Sequence, residues 1–374
     1  MAEELIMIHL PEEEQLNIGI LSKLFAKTSE SYKYFWMLAI LKNVEDKKKR
    51  MSYHELVDEM IATAWYMVTE YHLSLGYNDR LERFILNANQ KCAVKTSGSK
   101  LELQLAFEEN VPKEFKNIHI ELTKNVPYWL QTPFKKGKAI SQYKQMIQWV
   151  NDNPQDFMYC FEQEKQTDNT IVLNDIWFDY FDKNQLIIKD WVKYQLILYL
   201  EKRNPGVPGI ADKLEPFKER KLEDIRKYWK KVITCIPVHE IYTGKEMNEE
   251  NLRIYGKMSV DHFIPWQYTA NDELWNLTPT FHKINSSKNN GLPPAQTMDS
   301  LIEQQYEILQ LNRSKKELEN MWQKCMDKSV FDKEAREKLY RGEPTKEEFK
   351  KNYLSIIMPV YSAAKKAGFT EWNY

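Results

Sequence analysis

The chain has 374 residues, 43% of them apolar and 29% charged, with a formal net charge of -1 at pH 7. That length excludes a single small domain and predicts two or three structural units around sizeable cores. The near-neutral balance excludes a protein that is basic throughout, so any phosphate-binding surface has to be local.

No uninterrupted apolar run approaches the ~20 residues of a bilayer-spanning helix. The opening MAEELIMIHLPEEE pairs an acidic flank with a brief apolar stretch, where a secretory signal has a basic flank and a longer apolar segment. A cytoplasmic location without membrane association is therefore expected. Cys92, Cys160, Cys235 and Cys325 lie far apart and form no C-x-x-C pair, which predicts reduced thiols used in packing.

In chain order, apolar residues first recur at helical spacing, as in Leu21, Leu24 and Phe25 and then Tyr34, Phe35, Leu38 and Leu41. Ser52 with Glu55 three residues later reads as a capping box for a helix whose apolar face is Leu56, Met60, Ala64 and Met67. A further helix is predicted over 79–93. Between 117 and 134 the alternation of Ile118, Ile120 and Leu122 predicts a strand and an irregular connection. Helices over 139–150 and 186–201 follow, the second broken by NPGVPG, which is the best linker candidate. Residues 1–205 thus read as a predominantly helical N-terminal domain for recognition, regulation or partner docking. Aromatic pairs such as Trp65 and Tyr66 are read as packing residues.

A helix is predicted over 216–234. Its span 218–231 holds seven basic residues (Lys218, Arg220, Lys221, Arg226, Lys227, Lys230, Lys231) against three acidic ones (Glu219, Glu223, Asp224). Such a face is often only solvated, but its place directly before the segment described next favours phosphate contact by Lys227, Lys230 and Lys231.

Residues 260–293, VDHFIPWQYTANDELWNLTPTFHKINSSKNNGLP, group an Asp-His pair, spaced asparagines and a lysine around short apolar runs. Phosphodiester hydrolysis needs an activated water, a cation that neutralises charge on the phosphate, and a scaffold that aligns both. His262 titrates near neutral pH and suits proton removal, while Asp261 offers the hard oxygen that Mg²⁺ prefers. Neighbours on a strand face opposite ways, so both serve one site only at a bend or a strand end; Pro265 fits that end. A polar loop over 268–273, a second strand at Trp275-Asn276-Leu277 and a helix capped by Thr280 and stopped by Gly291 are predicted next. On that helix Asn285 offers an amide oxygen as a second metal ligand, and Lys288, three positions on, is assigned to phosphate contact.

The ordered pattern resembles the HNH endonuclease family, including the HNH nuclease domains of CRISPR effector proteins. It has an initial Asp-His, a middle Asn and a final Asn, with the asparagines 14 and 23 positions after His262, and DHFIPW, WNLTP, INSSK and LP look like a recurrent subgroup. Taken with the helical spacing on either side, it predicts a mainly α protein with a small α+β module: the resemblance implies a ββα-metal nuclease motif within 206–295 behind the basic helix, and a C-terminal helical segment, 296–374, is expected to pack on it. Within that segment helices are predicted over 297–326 and 345–367.

By the same resemblance His262 is the general base, Asn276 braces the loop that carries it, and Asp261 and Asn285 hold Mg²⁺ (or Mn²⁺). Many family members bind a structural zinc through two C-x-x-C pairs. Here Cys235 stands alone, so no structural zinc is expected, and Cys235 and the Tyr242-Thr243-Gly244-Lys245 turn read as remnants of that scaffold. His282 either assists the metal or leaving group or is a capping or surface residue. The implied substrate is DNA. Stand-alone bacterial relatives point to an anti-phage or restriction effector, with an ATPase or another defence protein as partner. A catalytically silent nucleic-acid-binding or docking subunit and an RNA-directed nuclease are the alternatives.

Overall fold

The computed structural model describes residues 10–91, 118–135, 137–162, 169–215 and 222–373. The chain divides into two units, Met1–Pro205 with Leu214–Pro216 and Gly206–Lys213 with Phe217–Tyr374. Among the described residues no helix is long and apolar enough to cross a membrane.

The first unit is mainly helical: α1 (Tyr32–Glu45), α2 (Tyr53–Thr69), α3 (Arg80–Lys91), α4 (Ile118–Thr123), α5 (Tyr143–Asp152), α6 (Asp175–Lys183) and α7 (Gln185–Arg203). The Ser52 hydroxyl accepts from Glu55 N while the Glu55 carboxylate accepts from Ser52 N, so the capping box starts α2 where the spacing predicts it. The segment read as a strand near residue 118 is helical: Ile118 and Leu122, one turn apart, are buried, whereas Ile120 is 62% exposed. An i, i+4 pair satisfies both periods, and the exposed intermediate residue decides for the helix. The unit also holds a three-stranded antiparallel sheet in the order β1 (Arg50–Ser52), β3 (Thr170–Leu173), β2 (Tyr159–Glu162), with Met51 opposite Ile171 and Phe161 opposite Ile171. These strands of three or four residues are too short to announce themselves by alternation.

In the second unit α8 (Glu223–Ile233) fills the described part of the basic helix, and α9 (Glu249–Tyr255) follows; Lys218, Arg220 and Lys221 lie outside the described residues. Then β4 (Met258–His262) pairs antiparallel with β5 (Leu277–Phe281), from Met258 opposite Phe281 to His262 opposite Leu277, and α10 (His282–Lys288) leaves β5 directly. The second strand thus begins later than predicted, Leu274–Asn276 being a 3-10 turn. Thr280 remains in the strand because Glu240 engages its hydroxyl at 2.8 Å, so it does not cap the helix. Pro279 is tolerated opposite Val260 because both strands of a two-stranded ribbon are edges.

Three long helices follow: α11 (Thr297–Ser314), α12 (Lys316–Ser329) and α13 (Lys346–Lys366). The single helix predicted over 297–326 is broken at Lys315, whose backbone is extended. Ile225, Trp229 and Val232 of α8 pack with Val260, Phe281, Ile284 and Trp322, while Phe263, Ile264 and Trp275 pack with Leu301, Tyr353 and Phe369. The hairpin therefore lies between helices before and after it in sequence. Leu292 N donates to Thr370 O at 2.9 Å, Trp372 N donates to Leu292 O at 2.7 Å, and the Trp372 ring meets Tyr242 edge-on at 5.3 Å.

The turn carrying residues 206–213 is fastened to the segment after β4. The Tyr268 hydroxyl donates to Gly206 O at 2.6 Å, and buried Lys213 donates to both Pro208 O and Tyr268 O at 2.6 Å. Gly209 has φ +63°, and a Cβ there would lie 2.6 Å from that of Ala270, so only glycine fits.

Candidate active site

His262 is the last residue of β4, and there the backbone leaves the ladder. Phe263 N donates to Asn276 O at 2.8 Å, after which the Asn276 side chain grips Ile264 from both sides: its Oδ1 accepts from Ile264 N and its Nδ2 donates to Ile264 O, each at 2.8 Å. Asn276 is wholly buried, and with two partners on one residue it fixes the bend that follows the strand. At this strand end Asp261 and His262 line one cleft of about 750 Å³, together with Ser259, His282 and Asn285.

The His262 ring is oriented by a carboxylate. Its Nε2 lies 2.8 Å from Asp272 Oδ1. A carboxylate only accepts, so Nε2 carries the hydrogen and the lone pair of the neutral ring is on Nδ1. Asp272 follows a helical turn, Trp266–Thr269, and Ala270 in the left-handed conformation, where the sequence reads a plain polar loop. The adjacent Glu273 anchors this segment, accepting from Phe331 N at 2.9 Å and Asp332 N at 3.0 Å; burial pushes its carboxyl up.

Asp261 is held from two directions. The Tyr242 hydroxyl donates to its Oδ2 at 2.5 Å, and Lys288 Nζ lies 3.0 Å from Oδ2 and 3.2 Å from Oδ1. Lys288 also donates to His262 O at 2.7 Å, with its side chain 0% exposed. The phosphate contact assigned to Lys288 is therefore corrected: Ile284 and Lys288, one turn apart, form the buried face of α10 against β4, so the ammonium lies beneath Asp261. Burial, and then the neighbouring Asp261 carboxylate, keep the Tyr242 hydroxyl well above its usual range, hence protonated and donating. The turn carrying Tyr242 is built on buried Glu240, whose Oε2 accepts from Tyr242 N, Thr243 N and the Thr243 hydroxyl, and whose Oε1 accepts from Thr280. Read from sequence as a remnant, this turn carries a direct ligand of Asp261.

Asn285 donates through Nδ2 to the Ser259 hydroxyl at 2.9 Å, which fixes the amide and leaves Oδ1 outside that bond. Asp261 Oδ1 has a lone pair beyond the one met by Lys288. One carboxylate oxygen and one amide oxygen on a single cleft are a hard, oxygen-only donor set of the kind Mg²⁺ takes, the remaining positions being filled by water and phosphate. Among the described residues no group of three or more His, Cys, Asp or Glu is arranged to hold a metal. The two-ligand set fits a hydrated Mg²⁺-type ion.

His282 is exposed on the cleft wall at the start of α10, where its backbone N–H donates to Lys257 O at 2.9 Å. The basic helix separates into two stripes. Arg226 and Lys230, together with Lys257, line the cleft, and among the described residues none of the three has a carboxylate within ion-pair distance. Lys227 instead pairs with Glu223 at 2.6 Å and Lys231 with Glu317 at 2.9 Å, outside the cleft lining. Of the three lysines assigned to nucleic acid on this helix, only Lys230 faces the cleft. Arg226, one helical turn before it, was visible to the same reasoning; Lys257, Tyr242 and Asp272 gave no local signal.

Residues 240–294 match the family model described as HNH endonuclease. No curated protein and no solved structure matches the chain.

Proposed function

Through residues 240–294 the chain belongs to the HNH endonuclease family, and on that footing we propose that it is a metal-dependent endonuclease hydrolysing phosphodiester bonds in DNA. The observation that carries this reading is the convergence of Asp261, His262 and Asn285 on one cleft whose rim supplies Arg226, Lys230 and Lys257.

HNH nucleases generally use divalent metal ions. Asp261 and Asn285 would hold the ion, which when bound supplies Lewis-acid stabilisation of charge on the scissile phosphate. His262 Nδ1 takes the proton from a water as its oxygen bonds to phosphorus; the P–O3′ bond breaks and the departing 3′ oxygen takes a proton from solvent, leaving a 5′-phosphate and a 3′-hydroxyl. Asp272 keeps the imidazole in the required tautomer. Lys288 and Tyr242 hold the Asp261 carboxylate in place, and Asn276 fixes the turn that brings Asp261 and His262 to one side. Arg226, Lys230 and Lys257 hold phosphates of the strand being cut.

The test is incubation of wild-type protein and His262→Ala with supercoiled plasmid and Mg²⁺ or Mn²⁺, beside EDTA controls and a parallel RNA digest. Metal-dependent nicking that disappears in the variant is the expected result. Equal cutting by both proteins would remove His262 as the base, and cutting confined to RNA would reassign the substrate.

A further inference from the structure

The His262 cleft continues past β4. A second groove, of about 770 Å³, shares Lys230, Lys257 and Met258 with it and runs between α8 and α9. Helix α8 presents Arg226, Lys230 and Ile233 at i, i+4 and i+7, one stripe of the helix. Arg226 lies on the catalytic cleft, Lys230 on the shared boundary and Ile233 in the second groove. Lys257, the residue before β4, stands on the same boundary, so two exposed ammoniums mark the passage from one groove to the other.

Beyond that passage the lining changes character. Ile233, Leu252 and Met258 supply an aliphatic floor, and Arg253 adds a further positive group beside Glu249, which lines the same groove. Its ion pair with Glu249, at 3.7 Å between two exposed side chains, costs little to break. A positive ridge leading to an apolar floor complements a chain with phosphates along one edge and apolar faces beside them. In a duplex those faces are stacked inside and cannot reach such a floor; in an unpaired strand they can.

We propose that the two grooves form one track for a single nucleic-acid strand. Its phosphates cross Lys230 and Lys257, and its unpaired bases rest on Ile233, Leu252 and Met258. The substrate is accordingly single-stranded or frayed on that side of the scissile phosphate. This deepens the nuclease reading and rests on it.

The experiment is fluorescence anisotropy in EDTA, so that nothing is cut, with a labelled single strand of about twenty nucleotides and the blunt duplex of the same sequence, across a salt series. Wild-type protein is expected to bind the single strand at least about tenfold more tightly. Because each lost phosphate contact on a single strand removes about 0.7 from the slope of log affinity against log salt, Lys230→Gln/Lys257→Gln should lower that slope by about 1.4. Ile233→Asp should weaken binding of the single strand more than binding of the duplex and so reduce the preference. All three positions lie at the surface or half-buried, and circular dichroism identifies any variant that misfolds, in which case Leu252→Ala replaces Ile233→Asp. Equal affinity for both nucleic acids, or an unchanged slope in the double variant, overturns the track; a protein segment is then the better occupant of the aliphatic floor. If plasmid nicking remains dependent on His262 in that event, the track falls alone. If neither nucleic acid binds and no plasmid is nicked, the nuclease reading falls with it.

Discussion

Lys288 Nζ lies 3.0 Å from Asp261 Oδ2 with neither side chain more than 6% exposed, so the cleft's carboxylate rests on a positive charge supplied by the protein itself. Removing one member of a buried pair strands the other in a poorly solvated place, which costs about 3–5 kcal/mol. Lys288→Met should therefore lower the free energy of unfolding by about that much, read from urea denaturation. A loss below about 1 kcal/mol would mean that Asp261 is well hydrated and that the ammonium contributes little.

In the proposed mechanism Asp272 acts through His262, whose Nε2 lies 2.8 Å from its Oδ1. Asp272→Ala releases the ring from its tautomer and orientation, so kcat should fall by about tenfold to a hundredfold while KM stays close to wild type. Steady-state nicking kinetics separate the two parameters. A change confined to KM would place Asp272 in substrate binding instead.

Among the described residues no other side chain bonds Ile264 N or Ile264 O. Asn276→Ala leaves Ile264 N and Ile264 O without their partners in a buried turn, at a cost of about 1–3 kcal/mol for each group. Asn276→Asp should also destabilise, because it keeps the acceptor for Ile264 N but loses the donor to Ile264 O. Chemical denaturation of both variants checks this. Full stability of the alanine variant would show that water replaces the amide.

Neighbouring cations on α8 should behave differently. Arg226 faces the cleft without a carboxylate partner among the described residues, whereas Lys227 is engaged by Glu223. Arg226→Ala should weaken nucleic-acid binding and reduce the salt slope by about 0.7 to 0.9, whereas Lys227→Ala should leave both nearly unchanged. Parallel salt titrations of the two variants decide it, and equal losses would show that the whole basic face binds.

Burial pushes the Lys213 ammonium down from 10.5 to about 7. Between those values the unfolded chain binds a proton that the folded chain does not, so this residue makes stability rise with pH from about 7 to about 10.5, and below about 7 the gain is absent. Urea midpoints of wild type and Lys213→Met should therefore diverge in favour of wild type across that window. Parallel midpoints would mean that Pro208 O and Tyr268 O hold the lysine charged throughout.

The linear order Asp261, His262, Asn276, Asn285 was legible in the sequence because all four sit on consecutive elements of one hairpin and helix. Asp272 and Tyr242 were not, since each reaches the site through tertiary placement: one from a turn after β4, the other from a turn that precedes α9. Lys288 misled because three-residue spacing from Asn285 gives a shared helix face but not which side of α10 is buried. The capping box at Ser52 is local chemistry and readable as such, whereas β1 depends on pairing with β3, more than a hundred residues away.

Trp372 lies against Tyr242 and its backbone bonds to Leu292, so the segment that matches the family is clasped by residues far outside it. Its apolar faces are covered by α8, α11, α12 and α13 rather than by each other. The boundary of the recognisable motif and the boundary of what folds are thus different lines. Excised or transplanted into a foreign scaffold, residues 240–294 would carry the motif's letters without the clamp that spells them, and a portable version of this module has to start before Glu223 and run through Trp372.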